Sequence, residues 1–114
     1  MRQWHVQPEI MCARHLLGEH VEHHMILGSL RRGRRLGKHA TLGQIDTRTL
    51  QDRHDVIANE ITRRGMKHNS PLDTTMLRND FKHVGWFDPA ANLQELLRRC
   101  SKCRENYEKG KHHE

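Results

Sequence analysis

The sequence predicts an all-α fold: a compact single domain of three main helices, with a basic loop between the first two. Three observations carry that prediction. Apolar residues recur at i+3 and i+4 spacing in three separate stretches. Strand-like runs of Val, Ile, Thr and Tyr are missing. Glycines, prolines and capping residues fall between the periodic stretches. The 114 residues suffice for one domain. We expect it to occupy residues 1–108, with residues 109–114 a polar tail. Hydrophobic residues make up 34% and aromatics 4%, so the core must come from aliphatic stripes. The mean hydropathy of −0.94 would suit a disordered chain, but the periodic Leu, Ile and Met positions argue for packing.

Pro8 suits a first helical turn, where its missing N–H costs nothing, and the helical pattern runs from there to about Leu27. Ile10, Ala13, Leu17, Val21, Met25 and Gly28 form one apolar stripe, expected to face the core. At 100° per residue Cys12, His15, Glu19 and Glu22 fall roughly opposite, so Glu22 should face away from that core stripe. The segment LRRGRRLGKHATLGQ follows, and no acid occurs between Glu22 and Asp46. It reads as a flexible, strongly basic connection. Asp46 or Thr47 caps the second helix, whose buried face is Leu50, Ile57, Ala58 and Ile61, with His54 on the same side. RRG ends it, Gly65 serving as the left-handed cap. KHNSPLD is loop, and a short helix is predicted over Thr74 to Phe81. Asp88 and Pro89 open the last helix, where Leu93, Leu96, Leu97, Cys100, Cys103 and Tyr107 continue one stripe.

Lys and Arg number 20 against 14 Asp and Glu, giving a net charge of +6. A small basic domain points to a polyanionic partner, most simply nucleic acid. No apolar run approaches the ~20 residues of a membrane span, and the N-terminus lacks the apolar region of a signal peptide. The expectation is a soluble, cytoplasmic protein. Three cysteines then read as thiols or metal ligands rather than a disulfide framework.

The histidine cluster HLLGEHVEHH invites a metal reading, since i/i+3 and i/i+4 pairs reach one ion. The HExxH order of metalloproteases is absent, however. Helical geometry also spreads His15, His20, His23 and His24 too widely for one site, so they read as surface or groove-facing. HVE at 20–22 with CSKC at 100–103 resembles the H-x-E and P-C-x-x-C of zinc nucleobase deaminases. Arg99 stands where that motif has proline, and the required sheet is not predicted. The CxxC lies on an apolar stripe and reads first as core packing. A metal clip with Cys12 or a tail histidine, or redox use, are its alternatives.

A sharper chemical pair is the chain's first residue and a helix glutamate. Initiator methionine is removed only before a small residue, and Arg2 is large, so Met1 is expected to stay with a free α-amine. Model α-amines deprotonate at about 7.7–8.0 against about 10.4 for lysine, so a useful fraction is nucleophilic at neutral pH. An amine attacking an anomeric carbon gives an imine. A nearby carboxylate can stabilise positive charge on the sugar and later move protons in β-elimination. Glu22 can serve if the N-terminus folds back onto it.

The opening MR-W, with HLLGEHVEHHMILGSL, looks like the first helix of the pyrimidine-dimer DNA glycosylases, the phage endonuclease V-like family. LQDRHDVIANEITRRG looks like the family's second long helix. The resemblance covers roughly residues 1–72. It implies a compact all-α domain with no metal and no cofactor. It also implies an N-terminal amine nucleophile and a helix glutamate supporting both base release and strand cleavage. Glu22 matches that glutamate and stands at the family's interval from Met1, Arg2 matches an early arginine, and His15 matches a histidine upstream of the glutamate. Glu19 is a further supporting candidate. The sequence departs from the family at Val21 and Met25, where the family has DNA-contacting arginines, and in lacking its tyrosine-rich C-terminal segment.

These readings combine into a DNA repair-type glycosylase with abasic-site lyase activity. Met1 and Glu22 are catalytic, and Arg31, Arg32, Arg34, Arg35, Lys38, Arg53 and Arg64 hold phosphates. The partner is double-stranded DNA carrying a damaged or modified base or an abasic site, bound by a monomer. The source would be phage-encoded in a bacterial host. The alternatives are a non-catalytic nucleic-acid-binding module of the same fold, and a metal-dependent enzyme using the histidines or the CxxC.

Overall fold

The computed structural model describes residues 1–68, 70–77 and 81–111. Among the described residues five α-helices carry the fold: α1 (Ala13–Arg31), α2 (Lys38–Thr41), α3 (Leu50–Arg63), α4 (Pro89–Arg99) and α5 (Ser101–Lys111). Short 3-10 turns at Pro8–Ile10, Thr47–Thr49 and Thr74–Met76 join them. No strand is present among the described residues, as expected, and only one isolated bridge, Asp46 to Gly85, pairs extended backbone.

The punctuation of the sequence places most boundaries. The Asp46 carboxylate accepts from the Arg48 N–H at 3.0 Å and opens the turn into α3. Gly65 at φ +81 closes α3, with Met66 N–H donating to Ile61 at 3.1 Å. The Asp88 carboxylate accepts from Ala90 and Ala91 N–H groups, with Pro89 at the first helical position.

Three elements differ from expectation. Pro8 opens a 3-10 turn and α1 begins only at Ala13. The last helix breaks at Cys100, whose backbone is extended (φ −128, ψ 111) and whose sulfur accepts from the Cys103 N–H. It thereby caps α5 as a serine would. The short helix expected over Thr74 to Phe81 is a 3-10 turn ending at Met76; residues 78–80 of that stretch lie outside the described residues. α5 also continues through residues 109–111 of the expected tail, and residues 112–114 are not described.

The expected face of α1 is corrected most strongly. Leu17 (40%), Val21 (55%) and Met25 (52%) are exposed, while Leu16, Glu19, His23, Ile26 and Leu27 are buried. α1 and α3 pack along two apolar clusters. One gathers Trp4, Val6, Ile10, Met11, Leu16, Ile57, Ile61, Leu96 and Cys103. The other gathers Ile26, Leu27, Leu36, Ile45, Leu50 and Leu72. In sequence, the buried polar residues Glu19 and His23 of α1 and Arg53 and His54 of α3 fall between the members of these clusters, with Gln3 buried beside them. That polar belt, not a continuous apolar stripe, is what α1 turns inward.

Gly85 shows how the segment after residue 81 docks. At φ +92 its missing Cβ would lie 1.9 Å from the Ile45 carbonyl oxygen, so only glycine permits the approach. Thr47 seals it, donating its N–H to Val84 at 3.1 Å and accepting from the Val84 N–H on its hydroxyl at 2.9 Å.

Candidate active site

The polar belt fixes the N-terminal arm. Gln3 is wholly buried and makes four hydrogen bonds. Its N–H donates to Gln44 at 2.7 Å, and its side-chain oxygen accepts from the Asp46 N–H at 2.8 Å. Its amide nitrogen lies 3.1 Å from His23 Nε2 and 3.3 Å from the Thr49 hydroxyl. His23 Nδ1 is 2.7 Å from the Glu19 carbonyl oxygen, which can only accept. Nδ1 therefore carries the proton and Nε2 accepts from Gln3. Burial pushes His23 down to about 3, which keeps it in that neutral form.

One residue earlier, the Arg2 backbone N–H donates to Glu22 Oε2 at 3.2 Å. Three covalent bonds separate the Arg2 and Met1 nitrogens, so the Met1 nitrogen lies within about 7 Å of that carboxylate. The Met1 side chain packs on the second apolar cluster. Glu22 is half-buried. Arg2 stacks its guanidinium 3.8 Å over the Trp4 ring and donates to Asn92 Oδ1 at 2.9 Å. Arg2 Nε and Asn92 Nδ2 are buried and have no hydrogen-bond partner among the described residues. Native proteins seldom leave such donors unmet, so this corner beside Glu22 retains polar capacity.

The remaining expected site residues divide sharply. Glu19 is 1% exposed and Arg53 7%. They form a bidentate pair at 2.7 and 3.0 Å, and Arg53 also donates to the Val6 carbonyl at 2.7 Å. Burial pushes the Glu19 carboxyl up, against the pull of Arg53. Arg53 is thus an interior ion-pair partner rather than a phosphate ligand, because its guanidinium has no face left for solvent. Arg64 is likewise committed: it bonds the Glu60 carboxylate at 2.7 Å and the Pro8 and Met11 carbonyls at 2.9 and 2.7 Å. His15 does not turn to Glu22; its Nδ1 lies 3.2 Å from Cys12 Sγ and its ring meets Trp4 edge-on.

Arg31, Arg32, Arg34, Arg35 and Lys38 are exposed, as a phosphate-binding surface requires. None forms an ion pair with an acidic side chain among the described residues. Their loop borders a cleft of about 790 Å³, lined by Arg34, Arg35, Leu36, Phe81, Lys82 and Trp86 among others. Trp86 is half exposed and its indole N–H donates to the Thr41 carbonyl at 3.1 Å. Lys82 and Trp86 were not singled out from the sequence, although FKHVGW mixes a cation with aromatics in the manner of nucleic-acid surfaces. Gln3 and Asn92 were missed as well. Neither has a local signal, because each acts through partners distant in the chain.

Of the histidines expected at the surface or facing a groove, His15, His20 and His24 are half-buried. His23 is fully buried. His20 joins His54 and His68 in a trio whose ring nitrogens can share an ion, with His20 and His68 Nε2 atoms 2.8 Å apart. The trio draws one ligand from each of three segments, which is why helical geometry within α1 did not reveal it.

The domain is all-helical, ties its N-terminal backbone to a helix glutamate and exposes a run of arginines, the charge of a polyanion-binding surface. A family model described as pyrimidine dimer DNA glycosylase matches residues 1–74. The chain belongs to that family. None of the curated proteins and none of the solved structures matches it. No described helix is long and apolar enough to cross a membrane.

Proposed function

We propose that the protein is a DNA glycosylase with abasic-site lyase activity on lesion-containing duplex DNA, using the Met1 α-amine as nucleophile and Glu22 as its carboxylate. One observation carries the reading: the Arg2 N–H to Glu22 hydrogen bond, which keeps the Met1 nitrogen within about 7 Å of the carboxylate. The family match supports the glycosylase half.

In this mechanism the amine forms a bond to C1′ of the deoxyribose as the bond from C1′ to the base breaks. The Glu22 carboxylate stabilises the positive charge that grows on the sugar. Ring opening gives the imine. Removal of a C2′ proton, assisted by Glu22, then expels the 3′ phosphate, and water releases the amine. Arg2, stacked on Trp4 and bonded to Asn92, would turn its remaining donors to a phosphate or the opened sugar. Arg31, Arg32, Arg34, Arg35 and Lys38 grip the backbone, and the cleft bearing Lys82 and Trp86 extends that surface. Val21 and Met25, exposed on the helix that carries Glu22, offer apolar contact where family members present arginines.

Borohydride trapping on abasic duplex DNA tests the mechanism. The expected result is a covalent adduct at the N-terminal residue, lost on α-amine acetylation, with turnover reduced about 10²–10⁴-fold by Glu22→Gln. Salt-dependent DNA binding with no adduct and no strand cleavage would leave a binding module of the same fold instead.

A further inference from the structure

We infer that Cys12, His15, Cys100 and Cys103 form a structural zinc site that staples α4 and α5 to the start of α1. The residues come as a C-x2-H pair and a C-x2-C pair, spacings at which two ligands from one helical turn can reach a common ion. The fold brings the pairs together although they lie at opposite ends of the chain.

The distances suit a tetrahedral ion. Cys12 Sγ lies 3.8 Å from Cys100 Sγ and 3.2 Å from His15 Nδ1, and Cys103 Sγ lies 3.9 Å from the same nitrogen. All four ligand atoms fall within 4.8 Å of one another. With Zn–S near 2.3 Å and Zn–N near 2.0–2.1 Å, the edges of a zinc tetrahedron are about 3.8 Å between sulfurs and about 3.6 Å from sulfur to nitrogen. Simple core packing would explain apolar neighbours for three thiols. It does not explain why an imidazole nitrogen points among them. A disulfide is also a poor account, because sulfurs 3.8 Å apart are well beyond the ~2.05 Å bond.

The surroundings fit thiolates. The Cys12 N–H donates to Cys103 Sγ at 3.2 Å, and the Cys103 N–H to Cys100 Sγ at 3.4 Å. Backbone N–H groups aimed at sulfur stabilise its anionic form. Three thiols lose their protons to solvent on binding, so zinc, three thiolates and a neutral imidazole leave one net negative charge. Arg14 and Arg99, each next in the chain to a ligand, offset that charge. Four protein ligands and no open position make the site structural rather than catalytic. Soft sulfur donors in a tetrahedron select zinc over hard cations. Its role is mechanical: α4 also carries Asn92, which holds Arg2, so the ion would secure the helix that props the N-terminal arm.

The test uses the full chain, untagged and purified under reducing conditions. Elemental analysis should find one zinc per chain, and cobalt(II) in its place should give tetrahedral visible bands with thiolate charge transfer. Both should be lost in Cys100→Ser and Cys103→Ser and kept in His54→Ala. If the cysteine variants do not fold, the wild-type chain still decides the matter: its cysteines should resist alkylation until a chelator is added. The inference is overturned by a chain that takes up no zinc or cobalt. It is equally overturned by an ion held without thiolate charge transfer and lost in His54→Ala, by alkylation indifferent to chelator, or by a mass two hydrogens low that marks a disulfide.

Discussion

α1 and α3 lie against each other yet obey different rules. α3 buries the apolar positions its periodicity marks: Leu50, Ile57, Ala58 and Ile61 are all inside. α1 exposes Leu17, Val21 and Met25 and buries Glu19 and His23. The difference lies in what each helix must hold. α3 supplies Arg53 and His54 to the buried belt without giving up its apolar face. α1 carries the candidate glutamate on one side and anchors the N-terminal arm through a buried polar belt on another. Leu17, Val21 and Met25 are left for the surface that we propose meets DNA, while Leu16, Ile26 and Leu27 pack inside.

The largest effect should come from breaking the belt where the two helices share it. Arg53→Ala leaves Glu19 buried without its cation and should cost about 3–5 kcal/mol, read from urea unfolding. Replacing both residues by leucine and methionine should recover most of that loss; failure to recover would mean that the pair specifies the arrangement as well as tolerating burial. Ile57→Ala probes the ordinary face of α3 and should cost about 2–5 kcal/mol. Val21→Ala, on the stripe that periodicity alone would place inside, should move stability by no more than about 0.5 kcal/mol. Equal losses at residues 57 and 21 would break the comparison.

A pH titration separates the two helices further. Burial is the main cause that pushes His5 and His20 down to about 4 and His23 to about 3. An unfolded histidine takes up its proton near 6.5, so between there and the folded values the unfolded chain binds more protons. Stability is therefore fully present above about pH 6.5 and is lost as pH falls toward 4 and then 3. Glu19, held above the usual carboxylate range, titrates in the opposite sense, its contribution declining as pH rises from the carboxylate range. The melting temperature should drop through pH 6 to 4, and His23→Gln should flatten the slope. A flat profile in the wild-type chain would show the histidines to be solvated.

The smallest change in stability should bring a measurable change in binding. Val21→Arg installs on exposed α1 the side chain that the family carries there. Unfolding should shift by under about 0.5 kcal/mol, while the salt dependence of DNA binding should steepen by about one phosphate contact. An unchanged slope would remove that face of α1 from the interface.

Much of this was legible in the chain. Asp46, Gly65, Asp88 and Pro89 mark helix boundaries by local backbone chemistry, and the face of α3 follows from its period. Glu22 and Arg2 stood out by the family resemblance, and the family model that matches residues 1–74 supports that resemblance. The buried face of α1 departs from its period because periodicity equates apolar with inside. That assumption fails when a polar group finds its partners in the interior, as Glu19 finds Arg53 and His23 finds Gln3. The break at Cys100 was hidden because a thiol cap has no strong sequence signature.

By itself, then, the sequence determined the helical class, the basic loop and the glutamate worth testing, since these depend on local propensity, on charge and on position in the chain. Only the tertiary structure decided which arginines reach solvent, which histidines share a site and how Cys12 and His15 come to face Cys100 and Cys103. Each of those is a meeting of residues far apart along the chain. Burial and pairing settle such meetings only when the helices pack.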